Sequence, residues 1–281
     1  MTAKPSQKSL KAPAGQPKNA LNKAKILGVG INSTSYPQVL NWISKKLSKQ
    51  QKFFIATPNP EMLVAASQDP AFKAVLNRTD LTIPDGFGLV LASFLLDTAP
   101  RITTTVTGTD LVEKITKLSP ENNWRLFFLG GRPGIAEKAV QRLSSICHLP
   151  FAICHFSSGP QKLSIINGKL EIVDREENTR SLIEINKFQP HLLFVAFGHG
   201  KQERWILNHL PYLKIGGAIG VGGAFDYLSG TTARAPFVIR KLGFEWLFRL
   251  FFQPNRLHRI LTAVIVFPFL VLQEKFFGQK S

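Results

Sequence analysis

Six short, largely apolar runs constrain this chain more than any other feature: Ile26–Ile31, Phe53–Ala56, Leu81–Ile83, Leu126–Leu129, Leu192–Phe197 and Ala218–Val221. Each is too short for a helix and lacks the polar/apolar alternation of a strand with one wet face, so each reads as a strand covered on both sides. Stretches of helical period lie between them: Tyr36–Leu47, Pro133–Leu143 and Gln202–Leu210. The first starts behind Ser35, a candidate N-cap, with Pro37 in its first turn. Apolar strands separated by amphipathic helices make an α/β protein, a mostly parallel sheet with helices on both faces. At 281 residues and 44% hydrophobic, the chain can bury a full core as one large domain or two small ones.

Charge divides the chain further. Lys and Arg number 35 against 18 acids, a net of +17, which calls for an anionic partner: nucleic acid, anionic lipid or a phosphorylated substrate. Residues 1–24 hold five lysines and no acid and read as a disordered basic tail, either a solvated leader or a polybasic lipid contact. They lack the apolar stretch of a secretory signal. Residues 25–233 form the expected core. Residues 234–281 carry eight Lys/Arg, two Glu and dense aromatics, the composition of a helical appendage lying in a membrane interface. The run Ile260–Leu272 contains Pro268 and reads as too short to span a bilayer. Two cysteines exclude a disulfide scaffold and favour a reducing compartment.

Most familiar motifs fail. Gly28-Val29-Gly30 follows an expected strand, but Ser33 stands where a dinucleotide fingerprint needs glycine. No phosphate-binding G-x-x-x-x-G-K-[ST] loop, D-x-D pair, G-x-S-x-G elbow or H-E-x-x-H helix occurs. Cys147-His148 and Cys154-His155 have the wrong spacing for zinc, and the residues between them read as a strand. No metal and no cofactor are expected.

The informative residues follow strands. Thr57-Pro58-Asn59-Pro60-Glu61 comes after Phe53–Ala56, and Pro84-Asp85-Gly86-Phe87-Gly88 after Leu81–Ile83. Gly130-Gly131 ends Leu126–Leu129, Gly198-His199-Gly200-Lys201-Gln202-Glu203 ends Leu192–Phe197, and Gly220-Val221-Gly222-Gly223-Ala224-Phe225-Asp226 ends the last strand. Parallel sheets hold ligands at the carboxyl ends of their strands, so these loops suggest one crevice. Asp85 fits a general base or a helix N-cap. Gly130 and Gly131 fit a phosphate or hydroxyl cradle or a tight turn. Asp226 fits a nucleotide contact or a cap.

Taken together, these blocks resemble the bacterial WecG/TagA/CpsF glycosyltransferase family. Val106-Thr107-Gly108-Thr109-Asp110-Leu111, Arg234-Ala235-Pro236, Gly243-Phe244-Glu245-Trp246-Leu247-Phe248-Arg249-Leu250 and Pro254-Asn255-Arg256-Leu257 extend the likeness, which covers about residues 26–260 in order. The resemblance implies a Rossmann-like core and an inverting, metal-independent transferase. Such an enzyme moves a sugar, often N-acetylmannosamine or its uronic acid, from a UDP donor to a polyprenyl-diphosphate-linked sugar. It also implies Asp85 and Thr57 as catalytic residues. Asn59, Gln202, Gly108, Thr109, Gly130, Gly131 and Asp226 become substrate contacts, and Arg249, Arg256 and Arg259 become diphosphate contacts from a membrane-docked appendage. The implied location is the cytoplasmic face of the plasma membrane, with self-association open. Two departures stand out: Thr105 replaces the family's Arg before Val-Thr-Gly, with Arg101 as a candidate substitute, and His199-Gly200 alters the loop before Lys201.

The chemistry suits the residues. One displacement needs one carboxylate near the attacking hydroxyl and positive charge near the leaving diphosphate. A nucleic-acid binder would spread its cations over the sheet rather than crowd them at the chain ends. A NAD-dependent oxidoreductase lacks its fingerprint. A family member that binds a UDP-sugar or lipid without turnover is favoured only by Thr105.

Overall fold

The computed structural model describes residues 22–147, 149–241, 245–252 and 256–278. Most of the basic tail, His148, Gly243-Phe244 and Pro254-Asn255 therefore lie outside the described residues.

The strands are β1 Lys23–Ile26, β2 Val29–Asn32, β3 Phe53–Ala56, β4 Leu81–Thr82, β5 Leu126–Gly130, β6 Cys154–Ser157, β7 Leu163–Ile166, β8 Lys169–Ile172, β9 Leu192–Ala196 and β10 Gly217–Gly220. Six form one sheet in the order β4-β3-β10-β9-β5-β6, and every neighbouring pair is parallel. The helices are α1 Tyr36–Ser48, α2 Pro60–Gln68, α3 Pro70–Asn77, α4 Phe87–Leu95, α5 Gly108–Leu118, α6 Ile135–Cys147, α7 Arg175–Phe188, α8 Lys201–His209, α9 Ala224–Leu228, α10 Phe237–Lys241 and α11 Glu245–Phe252. A last helix, α12, runs Leu257–Phe277. Ser35 does cap α1: its N–H and hydroxyl donate to Gln38 Oε1 at 2.9 and 3.1 Å.

The sheet separates two apolar layers. Phe53 and Ile55 of β3 join α1, α5, α6 and α9 on one side. Phe54 and Ala56 join α2, α3, α4, α8 and α12 on the other. This alternation along strands that are apolar throughout is why they carry no period-2 signal. Helices α6 and α8 follow the adjacent strands β5 and β9 and leave on opposite faces, the topological switch at which open α/β sheets bind ligands.

Two expectations need correction. Ile26–Ile31 is not one strand of the sheet. Leu27 and Gly28 both take positive φ, 49° and 78°, and close an antiparallel hairpin between β1 and β2, as a two-residue turn of that hand does. A glycine inside an apolar run marked a reversal, so Gly28-Val29-Gly30 does not follow a strand of the sheet. Likewise, the residues between the two cysteines are not a strand: a 3-10 turn at Phe151–Ile153 precedes β6.

The C-terminal run is also longer than its apolar stretch suggests. Helix α12 has 21 residues, a mean hydropathy of 1.8 and 17% burial, so by length and composition it could cross a membrane. It continues through Pro268 because the π turn Thr262–Val266 just upstream absorbs the missing N–H. Ile260, Phe267 and Val271 make a buried stripe, the last two within the α2 and α4 layer, and Glu274 accepts the Leu27 N–H at 2.8 Å.

Strand β10, Gly217-Ala218-Ile219-Gly220, begins and ends with glycine. A Cβ at Gly217 would stand 2.3 Å from the Phe53 ring. Gly217→Val is expected to cost about 1–3 kcal/mol through overpacking, read as a lower urea midpoint at unchanged denaturant slope.

Candidate active site

The carboxyl edge of the sheet brings the strand-end loops together. Thr57 is 5% exposed and donates its hydroxyl to Gly220 O at 2.9 Å, tying the end of β3 to the end of β10. This is the backbone-bonded threonine of a strand end, with oxygen lone pairs left to accept. Gly108, the first residue of α5, sits against the same point: its Cβ position lies 3.5 Å from both Thr57 Oγ1 and Val221 O. Asn59 is the N-cap of α2, accepting the Met62 N–H at 2.9 Å.

Asp85 is half-buried. Its own N–H donates to Pro58 O at 2.9 Å, and its Oδ2 accepts the Gly108 N–H at 3.4 Å. The N-cap of α4 is Gly86, at φ 116°. Asp85 is thus not spent as a cap, and its carboxylate faces the start of α5, where Gly108 and Thr109 form the first turn. Three further acids at this edge pair with arginines. Glu61 accepts both contacts of Arg259 Nε at 2.7 and 3.0 Å. Asp110 takes Arg234 Nη1 at 2.6 Å, and Asp226 takes Arg132 Nη2 at 3.3 Å. Asp226 does not cap α9, because Gly223 does.

Gln202 is 1% exposed. Its Oε1 accepts the Gly222 N–H at 3.0 Å and its Nε2 donates to Glu203 Oε1 at 2.7 Å, so it braces the loop after β10 from within. Glu203 is fully buried and also accepts the Gly200 N–H at 2.6 Å. Burial pushes its carboxyl up to about 7 against the hydrogen bonds that pull it down. Gly130 and Gly131 take φ of 106° and 78°. A Cβ on Gly130 would meet Ala196 O at 2.8 Å, so its glycine is required by the close approach of β5 to β9.

The cations fall into two groups. Arg234 reaches Thr107 Oγ1 at 3.3 Å as well as Asp110, and Arg240 joins Asp110 at 3.4 Å. Burial alone would raise Asp110, but the two guanidiniums and Thr107 hold its carboxyl below the ordinary range. Burial also lifts Tyr36, which bonds the same loop, to about 12. Arg101, the expected substitute for the missing arginine, instead pairs with Asp97 and covers the Phe94 ring at 5.2 Å. The guanidinium beside Thr107 is Arg234. The second group is Arg259 with Glu61 and His199, whose Nδ1 lies 3.5 Å from Arg259 Nη2; burial pushes this imidazole below its usual value. Arg256 is the N-cap of α12, and the Arg249 side chain lies outside the described ones. Arg249 belongs to α11 and Arg256 to the start of α12.

The site thus brings together Thr57, Asp85, Gly108 and the loop braced by Gln202. Sequence reasoning placed Glu61, His199 and Glu203 in the strand-end loops without giving them a role, and it did not bring Arg234 and Arg240 to this edge. The blocks Lys201-Gln202-Glu203 and Arg234-Ala235-Pro236 contained the signal, but no spacing rule said what they would face. Among the described residues, no three His, Cys, Asp or Glu side chains group to hold a metal ion. Cys147 and Cys154 are free thiols, and burial lifts Cys154 to about 12.

Fold and edge together define an open α/β protein whose candidate site lies at the carboxyl ends of parallel strands. Comparison narrows this to one group: residues 24–281 match the model of the glycosyl transferase WecG/TagA/CpsF family, and the chain belongs to that family. It is similar to the N-acetylglucosaminyldiphosphoundecaprenol N-acetyl-beta-D-mannosaminyltransferase of Staphylococcus aureus (strain NCTC 8325 / PS 47), 28% identical over 256 residues that cover 90% of this chain and 93% of the relative. The protein of the same description from strain COL matches equally.

Glu203 gives the fold a pH signature. Between its ordinary 4.5 and about 7, the folded state keeps a proton that the unfolded state has lost. Stability therefore falls as pH rises through this window and levels above it. Glu203→Gln is expected to flatten that fall, measured as urea midpoints at about pH 5 and about pH 8. An unchanged difference between the two midpoints would move the titration to another group.

Proposed function

We propose that this chain transfers an N-acetylmannosamine-type sugar from a UDP-activated donor to a sugar carried on a polyprenyl diphosphate, with inversion and without a metal. The observation that carries the reading is Asp85: a carboxylate in the loop after β4 that is not the N-cap of α4 and faces the first turn of α5. The relative's described acceptor, a lipid-linked N-acetylglucosaminyl diphosphate, supports the acceptor class.

In this mechanism Asp85 takes the proton of the acceptor hydroxyl as its oxygen attacks the anomeric carbon. The bond from that carbon to the diphosphate oxygen breaks, and UDP leaves on the opposite face. At the positive end of α5, the Gly108 N–H orients the Asp85 carboxylate and the backbone of Gly108 and Thr109 lies against the substrate. Arg249 and Arg256 neutralise the diphosphate, joined by Arg259 when it exchanges Glu61 for phosphate. Asn59, Thr57, Asp226, Gly130 and Gly131 contact sugar or nucleotide, and Gln202 holds the loop after β10 in place around them. The core of residues 25–233 works with the appendage of 234–281, whose α12 lies in the cytoplasmic membrane interface where the lipid-linked acceptor resides.

The test is UDP release with and without a polyprenyl-diphosphate–GlcNAc analogue, over a panel of UDP-sugars that includes UDP-ManNAc. Acceptor-dependent release is expected with one donor. Asp85→Asn should lower it by about 10²–10⁴-fold while donor binding by titration calorimetry persists. Turnover unaffected by Asp85→Asn would remove it as the base. Donor binding without release by the unaltered chain would favour a binding protein.

A further inference from the structure

Helix α4 follows Asp85 directly, and it is apolar all round: Phe87-Gly88-Leu89-Val90-Leu91-Ala92-Ser93-Phe94-Leu95. Its one polar side chain, Ser93, is buried and accepts the Ile102 N–H at 2.6 Å. A helix with no polar face is normally covered on every side. Here Leu89, Val90 and Ala92 are covered, whereas Phe87, Leu91, Phe94 and Leu95 are exposed by 45%, 50%, 49% and 39%. Helix α12 packs beside α4, with Phe267 Cε1 3.7 Å from the Cβ position of Gly88. It adds Leu261, Ile265, Phe269, Leu272 and Phe276, exposed by 41–70% in round terms, the most open being Phe276 at 70%.

We infer that the outer faces of α4 and α12 form one apolar platform that inserts into an anionic lipid interface, so that the helix beginning at the proposed base is itself held in the membrane. This rests on the interfacial reading of α12 above and extends it to α4. Charge selects lipid over a second copy of the chain. The protein carries a net of +17, so two copies apposed through this face would repel. At the border, Arg101 lies over Phe94 and Lys275 acts on Asp97. His258 and Arg259 stand at the other end of α12. The neighbouring acids offset these cations, Asp97 on Arg101, Glu61 on Arg259 and Glu274 beside Lys275, so the attraction to anionic lipid comes from the net charge of the whole protein. Packing sets the orientation. Helix α12 is about 31 Å long at 1.5 Å per residue, but its buried stripe and Glu274 fasten it to the core from Ile260 to Glu274. It therefore lies along the bilayer surface and does not cross it.

The experiment is flotation of the full chain with phosphatidylglycerol/phosphatidylcholine vesicles. Leu91→Asp/Phe94→Asp on α4 is expected to weaken binding by roughly tenfold or more, as is Ile265→Asp/Phe269→Asp on α12. Ile183→Asp on α7, 63% exposed, should change nothing. Far- and near-ultraviolet circular dichroism checks that each variant is folded. A Leu91→Cys chain carrying a polarity-sensitive dye, with Cys147 and Cys154 replaced by serine, gives a second readout: a blue shift on vesicles is expected. Unaltered binding by the α4 variant, or no blue shift, overturns the platform. Loss with the α12 variant alone confines the membrane to α12 and overturns it too. These readouts involve no turnover, so failure of the transferase reading would appear in UDP release and leave them unaffected.

Discussion

The glycines at the two ends of β10, Gly217 and Gly220, are the constraint on which the rest depends. This strand lies between β3 and β9, inside the sheet. Gly217 leaves room for the Phe53 ring, and Gly220 leaves room for the Gln202 amide, whose nitrogen lies 2.9 Å from where a Cβ would stand. With those volumes free, three strand ends converge. Thr57 bonds the backbone at Gly220, Gln202 bonds the backbone at Gly222, and Gly108 packs against Val221. The crevice is thus built chiefly from backbone held by buried polar groups, which gives fixed dipoles little freedom to reorganise.

The sheet was legible because burial on both faces leaves unbroken apolar runs, and five of the six expected strands lie in it. The hairpin of β1 and β2 was misread because Leu27 and Gly28 look apolar in sequence, while their positive φ is a backbone property. The site was legible in part. Asp85 stands at a strand end followed by glycine, a pattern visible in one dimension, and the structure places the cap on Gly86. Glu203 and Arg234 were not legible as working parts, because burial and pairing with residues far along the chain decide their roles. The open side of α4 was equally hidden: an all-apolar segment reads the same whether neighbours cover it on every side or on one.

Beside the buried stripe of α12, two charged contacts join the C-terminal residues to the core. Arg234 and Arg240 meet Asp110 beside the Thr107 loop, and Arg259 meets Glu61 just after Asn59. These pairs are partly buried, so their energy depends on both partners staying in place. Any movement of α12 is therefore felt at the start of α2, and any movement of α10 at the start of α5. Both of these helices begin at the carboxyl edge of the sheet.

Thr57 and Gly220 stand 163 positions apart, and that distance orders events during synthesis. Translation runs from the amino end, and β3 and β4 emerge long before the strand that joins them to β9. Until β10 is made, the sheet has two halves with no hydrogen-bonded link. Until Phe267 and Val271 follow, α2 and α4 keep a bare apolar side. Long-range pairing of this kind is slow and leaves sticky surface exposed while it waits. The nascent chain therefore reaches this arrangement only after residues 260–271 emerge, and the packing of α12 against α2 and α4 is completed late.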